Sequence, residues 1–535
     1  MRTKHILWLS AILQCTSADW QYLSRPDLSP PRLNITVPAS PRTEPGYIFV
    51  APTAGFVEGS VGPEQPGPYI FRDDGELVWS GLGYLAGYVA DFGPTEIDGK
   101  PVLHAFQGSL DAFRGRMYGN HVIVNDKYQT VSVVRAASHR LVSTHEFNVV
   151  DGETVLIEAP VSVPADLSRY GGDEGQQWIV NNGFQELDIH TGELLFEWYS
   201  LEHITPKYSA VPLEKEGIFS GRSSLDAWNY FHINSVDKDD EGNYLISARH
   251  YAAIFKINGT DGEIIWQLGG THGSDFDIPP SVQFAYQHDA RFRYRSADGS
   301  IERISFFDNA AITSPLDPIN PFSRARYVEL NHTAGTAAEI HTYPAPDGLS
   351  AHSQGNFQFL PSGNKFVNWG QAGAVTEFAD DGTVLFHAYL DSYPNKHVQS
   401  YRGFRSNWTA VSNEEPAVLA LSDGKGTVTV WVSWNGDTET RTWLFYLFDN
   451  DAKEGVALGA QTRSSFETRF EKNLGIPAKT IKRFSIGVEA LDAQGRGLGS
   501  SRPVWIQDDT PYRAHLQEIQ HESHLSSGYR ERLEL

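Results

Sequence analysis

The chain has 535 residues, 40% of them hydrophobic and 12% aromatic, which excludes intrinsic disorder and makes it too long for one ordinary core. Its formal net charge is −23, with 66 acidic side chains against 43 basic ones. Such a surface repels nucleic acid and anionic lipid, so a polyphosphate partner is excluded.

In chain order, residues 1–18 read as a secretory signal. Arg2 and Lys4 form the basic start, Ile6 to Leu13 the apolar run, and Thr16 and Ala18 the small residues before a cut. Its removal predicts a protein secreted or held in the secretory-pathway lumen. It also takes away the single cysteine, Cys15, so no disulfide or thiol chemistry is expected. Four Asn-x-Ser/Thr sequons, at Asn34, Asn258, Asn331 and Asn407, are expected glycosylation sites on that route. No later segment carries the ~20 apolar residues of a membrane span.

Residues 19–45, with Pro30, Pro31, Pro38, Pro41 and Pro45, read as an extended arm. From Tyr47 a theme recurs: an Asp/Asn-Gly turn, then a short apolar strand that often ends in an aromatic residue. It is seen at Asp74-Gly75 to Trp79, Asp188 to Trp198, Asp261-Gly262 to Trp266 and Asp381-Gly382 to Phe386. Repeated hairpins without helical periodicity predict an all-β fold, a β-propeller of about six blades over residues 46–407. A large sandwich is the alternative. Residues 408–510 alternate apolar and polar positions around turns at Asp423-Gly424 and Asn435-Gly436, and predict a small fibronectin- or immunoglobulin-like sandwich with Trp431 or Trp434 in its core. Residues 511–535 read as a polar tail.

The stretch from Asp226 to His250 carries the chemistry. Tyr230 to Val236 and Asn243 to Ala248 read as the two strands of a hairpin, so Trp228, Tyr230, His232, Asn234 and Val236 share a face. Arg249, at the end of the returning strand, then comes near His232. An imidazole, an amide and a fixed cation on one patch suit an oxyanion, a sulfuryl or phosphoryl group, or an electron-rich aromatic oxygen. Three further segments set a histidine beside a strand: Ser143 to Phe147 with His145, Phe284 to Arg291 with Gln287 and His288, and Ala351 to Asn356 with His352. A propeller brings one such segment per blade to a common axis. There is no close His-x-x-x-His or cysteine pair, and the histidines that could ligate zinc come from different blades, so no metal site is expected.

The segments Phe-His-Ile-Asn-Ser-Val-Asp, Ser-Ala-Arg-His, Ile-Ile-Trp-Gln-Leu-Gly-Gly and Gln-His-Asp-Ala-Arg between Trp228 and Ala290 resemble the arylsulfotransferase-type propellers, most closely their secreted fungal branch. The resemblance implies that phenols are sulfated from an aryl sulfate donor, without a nucleotide cofactor, through a sulfohistidine. It places the nucleophile at His232, a supporting amide at Asn234, the sulfate-binding cation at Arg249, and assisting histidines at His288 and His145. The chain departs from the bacterial members, whose extra β-domain precedes the propeller and which carry a cysteine pair.

Fungal relatives of this kind include cofactor-free cyclases that join a tropolone quinone methide to a humulene-type sesquiterpene by a hetero-Diels–Alder reaction. For that job Trp228, Tyr230, Tyr286 and Trp369 would be aromatic walls, and His232 with Arg249 would polarise the tropolone oxygens or help to expel water. The expectation is a small-molecule enzyme on a phenolic or tropolonic substrate, cyclase ahead of sulfotransferase, with no cofactor. A non-catalytic binding protein is the other class.

Overall fold

The computed structural model describes residues 19–512 apart from 57–59, 112, 113, 115, 312–318, 392–396, 450, 451 and 453. The expected signal and all but the first residues of the expected tail lie outside the described residues. Among the described residues no helix is long and apolar enough to cross a membrane.

Six antiparallel four-stranded sheets make the blades. Their innermost strands are Tyr88–Ile97, Phe147–Val150, Ile233–Lys238, His288–Arg295, Asn356–Phe359 and Gly403–Ser406. Each of these strands packs against the next, from blade to blade and right round the ring. The last one closes the circle: Gly403–Ser406 pairs antiparallel with Tyr47–Val50, so the first blade is built from both ends of the propeller segment. Building one blade from both ends of the segment ties the ring shut, while each innermost strand remains a short, protected edge of its own sheet. The recurring turns do what their residues suggest. At Asp381-Gly382, for example, the glycine has φ +84°, a conformation open to glycine at little cost, and it reverses the chain between Ala374–Phe378 and Val384–Tyr389. The arm contributes to the fold as well. Its strand Asn34–Val37 pairs with Val384–Tyr389 as a fifth strand of the sixth blade.

The second domain is a sandwich. One sheet orders Glu467–Asn473, Thr427–Ser433, Ala417–Ser422 and Gln507–Asp508; the other orders Val456–Thr462, Thr442–Asp449, Phe484–Leu491 and Gly497–Ser500. Trp434 lies in the core between them, while Trp431 packs with Leu23 of the arm. The sandwich docks on the propeller through the turn at Asn435-Gly436. The Asn435 side chain accepts from the Ser80 amide at 2.8 Å and donates to the Ser80 carbonyl at 2.9 Å, and the Gly436 carbonyl accepts from the Tyr128 hydroxyl at 2.8 Å.

The hairpin at the heart of the sequence differs in one respect from the expectation. Its first strand begins at Ile233, not Tyr230, and pairs with Tyr244–Ala248. His232 precedes it with φ +58°, and the register shifts between Ile233 and Ser235. A left-handed residue followed by a bulge breaks the period of two, so the side chains from Trp228 to Val236 do not share one face. Trp228 sits instead at an isolated bridge to Ile179.

Candidate active site

Left-handed residues recur where inner strands begin: His232, Asp289 and Gln354 all have φ between +56° and +65°. Non-glycine residues are held there only by their surroundings, and these three lie at the start of strands that pack round the axis. At that axis His232 is the centre of a ring cluster. Its imidazole stacks on His250 at 4.5 Å with planes 24° apart, and meets His145 edge-on at 4.7 Å. Tyr401 lies edge-on to both His145 and His288, at 5.6 and 6.4 Å.

The hydrogen bonds fix what each ring can do. Arg249 Nη1 donates to His250 Nε2 at 2.7 Å, and His250 Nδ1 donates to the Asn229 carbonyl at 2.5 Å. A guanidinium only donates and a carbonyl only accepts, so His250 is neutral with its proton on Nδ1. Burial and the adjacent Arg249 push its pKa down to about 3. His232 Nδ1 faces the Asn229 amide nitrogen at 2.8 Å. Asn229 Oδ1 accepts from Asn182 Nδ2 at 3.0 Å, and Asn182 Nδ2 also donates to the Val180 carbonyl at 3.2 Å. Because the relay ends on a backbone carbonyl, both amides have one orientation. Asn229 donates, His232 Nδ1 accepts, and the neutral ring carries its proton on Nε2. Burial, then His250, His145 and Arg249, hold the His232 pKa well below the ordinary value, while part of the residue remains accessible.

His145 has the opposite arrangement. Its Nδ1 lies 2.9 Å from Glu158 Oε2 and also bonds Ser143 Oγ. A carboxylate only accepts, so Nδ1 holds the proton and Nε2 is left with a lone pair and no hydrogen-bond partner among the described residues. One ring thus offers a proton and its neighbour can take one.

Arg249 completes the site. It follows the strand Tyr244–Ala248 in a single 3₁₀ turn, and its amide donates to the His232 carbonyl at 2.9 Å. Its Nη2 donates to the His352 carbonyl at 2.8 Å, and its buried Nε has no partner. Among the described residues no carboxylate pairs with it. Burial brings its pKa down to about 10, opposed by the phenols of Tyr286 and Tyr401. A buried cation without a counter-ion is costly and marks a place for an anionic or electron-rich oxygen. A cavity of about 270 Å³ is lined in part by His352, Gln371, Tyr389 and His397; His352, whose carbonyl accepts from Arg249, is the one residue of the cluster that reaches it.

The other expected residues are placed as follows. Asn234 donates to the Gln287 carbonyl at 2.7 Å, and Gln287 donates to Ala253 O at 2.8 Å, so these two amides stitch neighbouring blades. His288 lies between Asn309 Oδ1, 2.7 Å from Nδ1, and the Gln354 amide, which donates to Nε2 at 3.2 Å; both ring nitrogens are engaged by protein. Trp228, Tyr230 and Trp369 are buried in blade cores, and their polar atoms donate to Val211 O, Ile204 O and Thr376 Oγ1. Tyr286 is packed with Val211 and Ala252. Of the sequons, Asn407 is exposed, whereas Asn34, Asn258 and Asn331 are half-buried. Sequence reasoning missed His250, Asn229, Glu158 and Tyr401. The adjacency of Arg249 and His250 was the one available signal, because a turn directly after a strand can aim two consecutive residues at one place.

Six blades closed round an axis that carries His145, His232, His250 and the Arg249 guanidinium define a β-propeller scaffold. The family model for arylsulfotransferase (ASST) matches residues 93–390, and the chain belongs to that family. No curated protein matches it. Among solved structures the chain is similar to a protein of unknown function from Bacteroides caccae, with 10% identity over 68% of this chain and 100% of that one and a TM-score of 0.36. It is similar also to a GH43 protein from Bacillus licheniformis, with 10% identity over 78% of this chain and 90% of that one and a TM-score of 0.32.

Proposed function

We propose that the chain is an enzyme acting on a phenolic or tropolonic small molecule, and that its reaction is a hetero-Diels–Alder cyclisation joining a tropolone quinone methide to a humulene-type sesquiterpene. The observation that carries this reading is the pairing of a proton donor, His232 Nε2, with a proton acceptor, His145 Nε2, beside the unpaired Arg249 guanidinium. Making a quinone methide from a hydroxymethyl tropolone removes one water. The ring hydroxyl gives its proton to His145 Nε2, electrons flow through the ring, the C–O bond breaks, and the leaving oxygen, held by a hydrogen bond from His232 Nε2, takes that proton back from His145 and departs as water. Arg249 holds the ring oxygens as charge develops on them. Cycloaddition then needs only that the two partners be held together, which excluding water and fixing orientation achieve.

The second reading is aryl sulfotransfer, favoured by the family to which the chain belongs. It needs a ring nitrogen with a free lone pair as nucleophile. At His232 that nitrogen is protonated unless the Asn229 amide turns over, so sulfotransfer through His232 requires a rearrangement of the relay. Intact-mass measurement after incubation with nitrophenyl sulfate separates the two. A gain of about 80 Da, lost in His232→Ala, establishes covalent transfer and overturns the cyclase reading. On the same proposal the enzyme is secreted and of fungal type, and glycosylated at least at the exposed Asn407.

A further inference from the structure

The second blade holds a side-chain cluster that the reaction above does not use. Asp91, His104 and His121 lie on its strands Tyr88–Ile97, Lys100–Asp111 and Arg116–Val124, and all three are buried. Asp91 Oδ2, His104 Nδ1 and His121 Nδ1 each lack a hydrogen-bond partner. One ligand atom from each of the three residues lies within 4.8 Å of the others. Three buried polar atoms without partners, on three residues whose ligand atoms lie this close together, cost free energy unless something pairs with them.

The local structure is built to aim them. Register places His104 opposite Ile123 and His121 opposite Phe106, so the two imidazoles are diagonal neighbours on one face of the sheet. Asp91 sits in a bulge where the register shifts between Ala90 and Gly93, with φ +47°, and the bulge turns its carboxylate to the same face. Phe147 covers both rings, with centroids 4.8 Å from each. The outer contacts fix the free atoms. His121 Nε2 donates to the Ser143 carbonyl at 3.2 Å, which leaves Nδ1 with its lone pair, and Arg402 Nη1 donates to Asp91 Oδ1 at 3.2 Å, which leaves Oδ2. Outer partners of this kind accompany metal-binding histidines and carboxylates. The charge balance points the same way. The buried ion-pair network that reaches Asp91 contains three carboxylates, Asp91, Glu146 and Asp289, against two guanidiniums, Arg291 and Arg402.

We propose that Asp91 Oδ2, His104 Nδ1 and His121 Nδ1 form a binding site for a divalent transition-metal ion of the zinc type. Two imidazoles and one carboxylate are a donor set such ions take, at about 2.0–2.2 Å. The ion would supply the missing positive charge and, through His121 and Ser143, tie down the segment that carries His145.

The test uses the untagged full chain, stripped with a chelator and shown by circular dichroism to stay folded, then titrated with Zn²⁺ and with Co²⁺. The expected result is about one equivalent bound per chain by elemental analysis, with visible Co²⁺ d–d absorption. Binding should weaken at least 100-fold in Asp91→Asn, His104→Ala and His121→Ala, and be unchanged in His232→Ala. Where a variant fails to fold, the wild-type titration decides alone. Folded wild type that takes up neither ion, full stoichiometry kept in folded variants of the three residues, or loss of the ion in His232→Ala would each overturn the assignment.

Discussion

Arg249 Nη1 donates to His250 Nε2 at 2.7 Å, and that contact settles the chemistry of two groups at once. It keeps His250 neutral and unable to act as a base, and it orients a guanidinium that no carboxylate among the described residues neutralises. The cation therefore remains available to a ligand oxygen. Arg249→Lys keeps the charge but loses the fork that reaches both His250 and His352 O. Turnover should fall about 10²-fold in Arg249→Lys and further in Arg249→Ala, with thermal midpoints near wild type. Steady-state kinetics beside differential scanning fluorimetry check both halves.

The lone pair on His145 Nε2 depends on Glu158. In Glu158→Gln the amide can present either its oxygen or its nitrogen to Nδ1, so the proton is no longer held there. The expected loss is about tenfold in kcat with little change in KM, against about 10²-fold or more for His145→Ala. A purely structural Glu158 would instead lower the thermal midpoint and leave kcat per folded molecule unchanged.

Asn229 sets the proton of His232. Replacing it with aspartate turns a donor into an acceptor, and the His232 proton should move from Nε2 to Nδ1. Nitrogen-15 chemical shifts of the labelled histidine report which nitrogen is protonated. The variant should lose cyclisation and gain reactivity toward an aryl sulfate.

Below neutral pH two buried groups should destabilise the fold. Burial alone would raise the Glu146 carboxyl, but Arg291 and Arg402 outweigh it and hold the pKa at about 2, below the ordinary 4.5. Its stabilisation is complete above pH 4.5 and lost as pH falls toward 2. His250 is neutral when folded, with a pKa of about 3 against 6.5, so it too withdraws stability as pH falls from 6.5 toward 3. Glu146→Gln should cost about 3–5 kcal/mol at pH 7 and show a flatter decline below pH 4.5 than wild type. Thermal midpoints measured from pH 7 to 3 give both slopes.

The domain joint is tested at Gly436. Its φ is +89°, and a Cβ there would meet Tyr128 at 2.2 Å and Trp79 at 2.7 Å. Gly436→Ala should cost about 2–3 kcal/mol and expose the joint to proteolysis.

Much of this was legible in the residues. The Asp-Gly turns with their aromatic strand ends marked the blades, and the segment from His232 to Arg249 marked the axis. What was not legible came from breaks in period. Nothing in Tyr230-Phe231-His232 announces a left-handed residue, since aromatic residues favour strands, so the shared face drawn through Trp228 and Tyr230 was displaced by the turn and bulge that begin the inner strand. His250 became part of the site because the chain turns at Arg249 in place of continuing as strand. Asp91, His104 and His121 are joined by cross-strand register and a bulge, and no local spacing records either.

The most direct measurement of the central claim is the enantiomeric composition of the adduct formed from a hydroxymethyl tropolone and a humulene-type sesquiterpene, with and without the protein. The account predicts a single enantiomer with wild type, and the slow racemic background with Arg249→Ala. Racemic product at the background rate with folded wild type would contradict it.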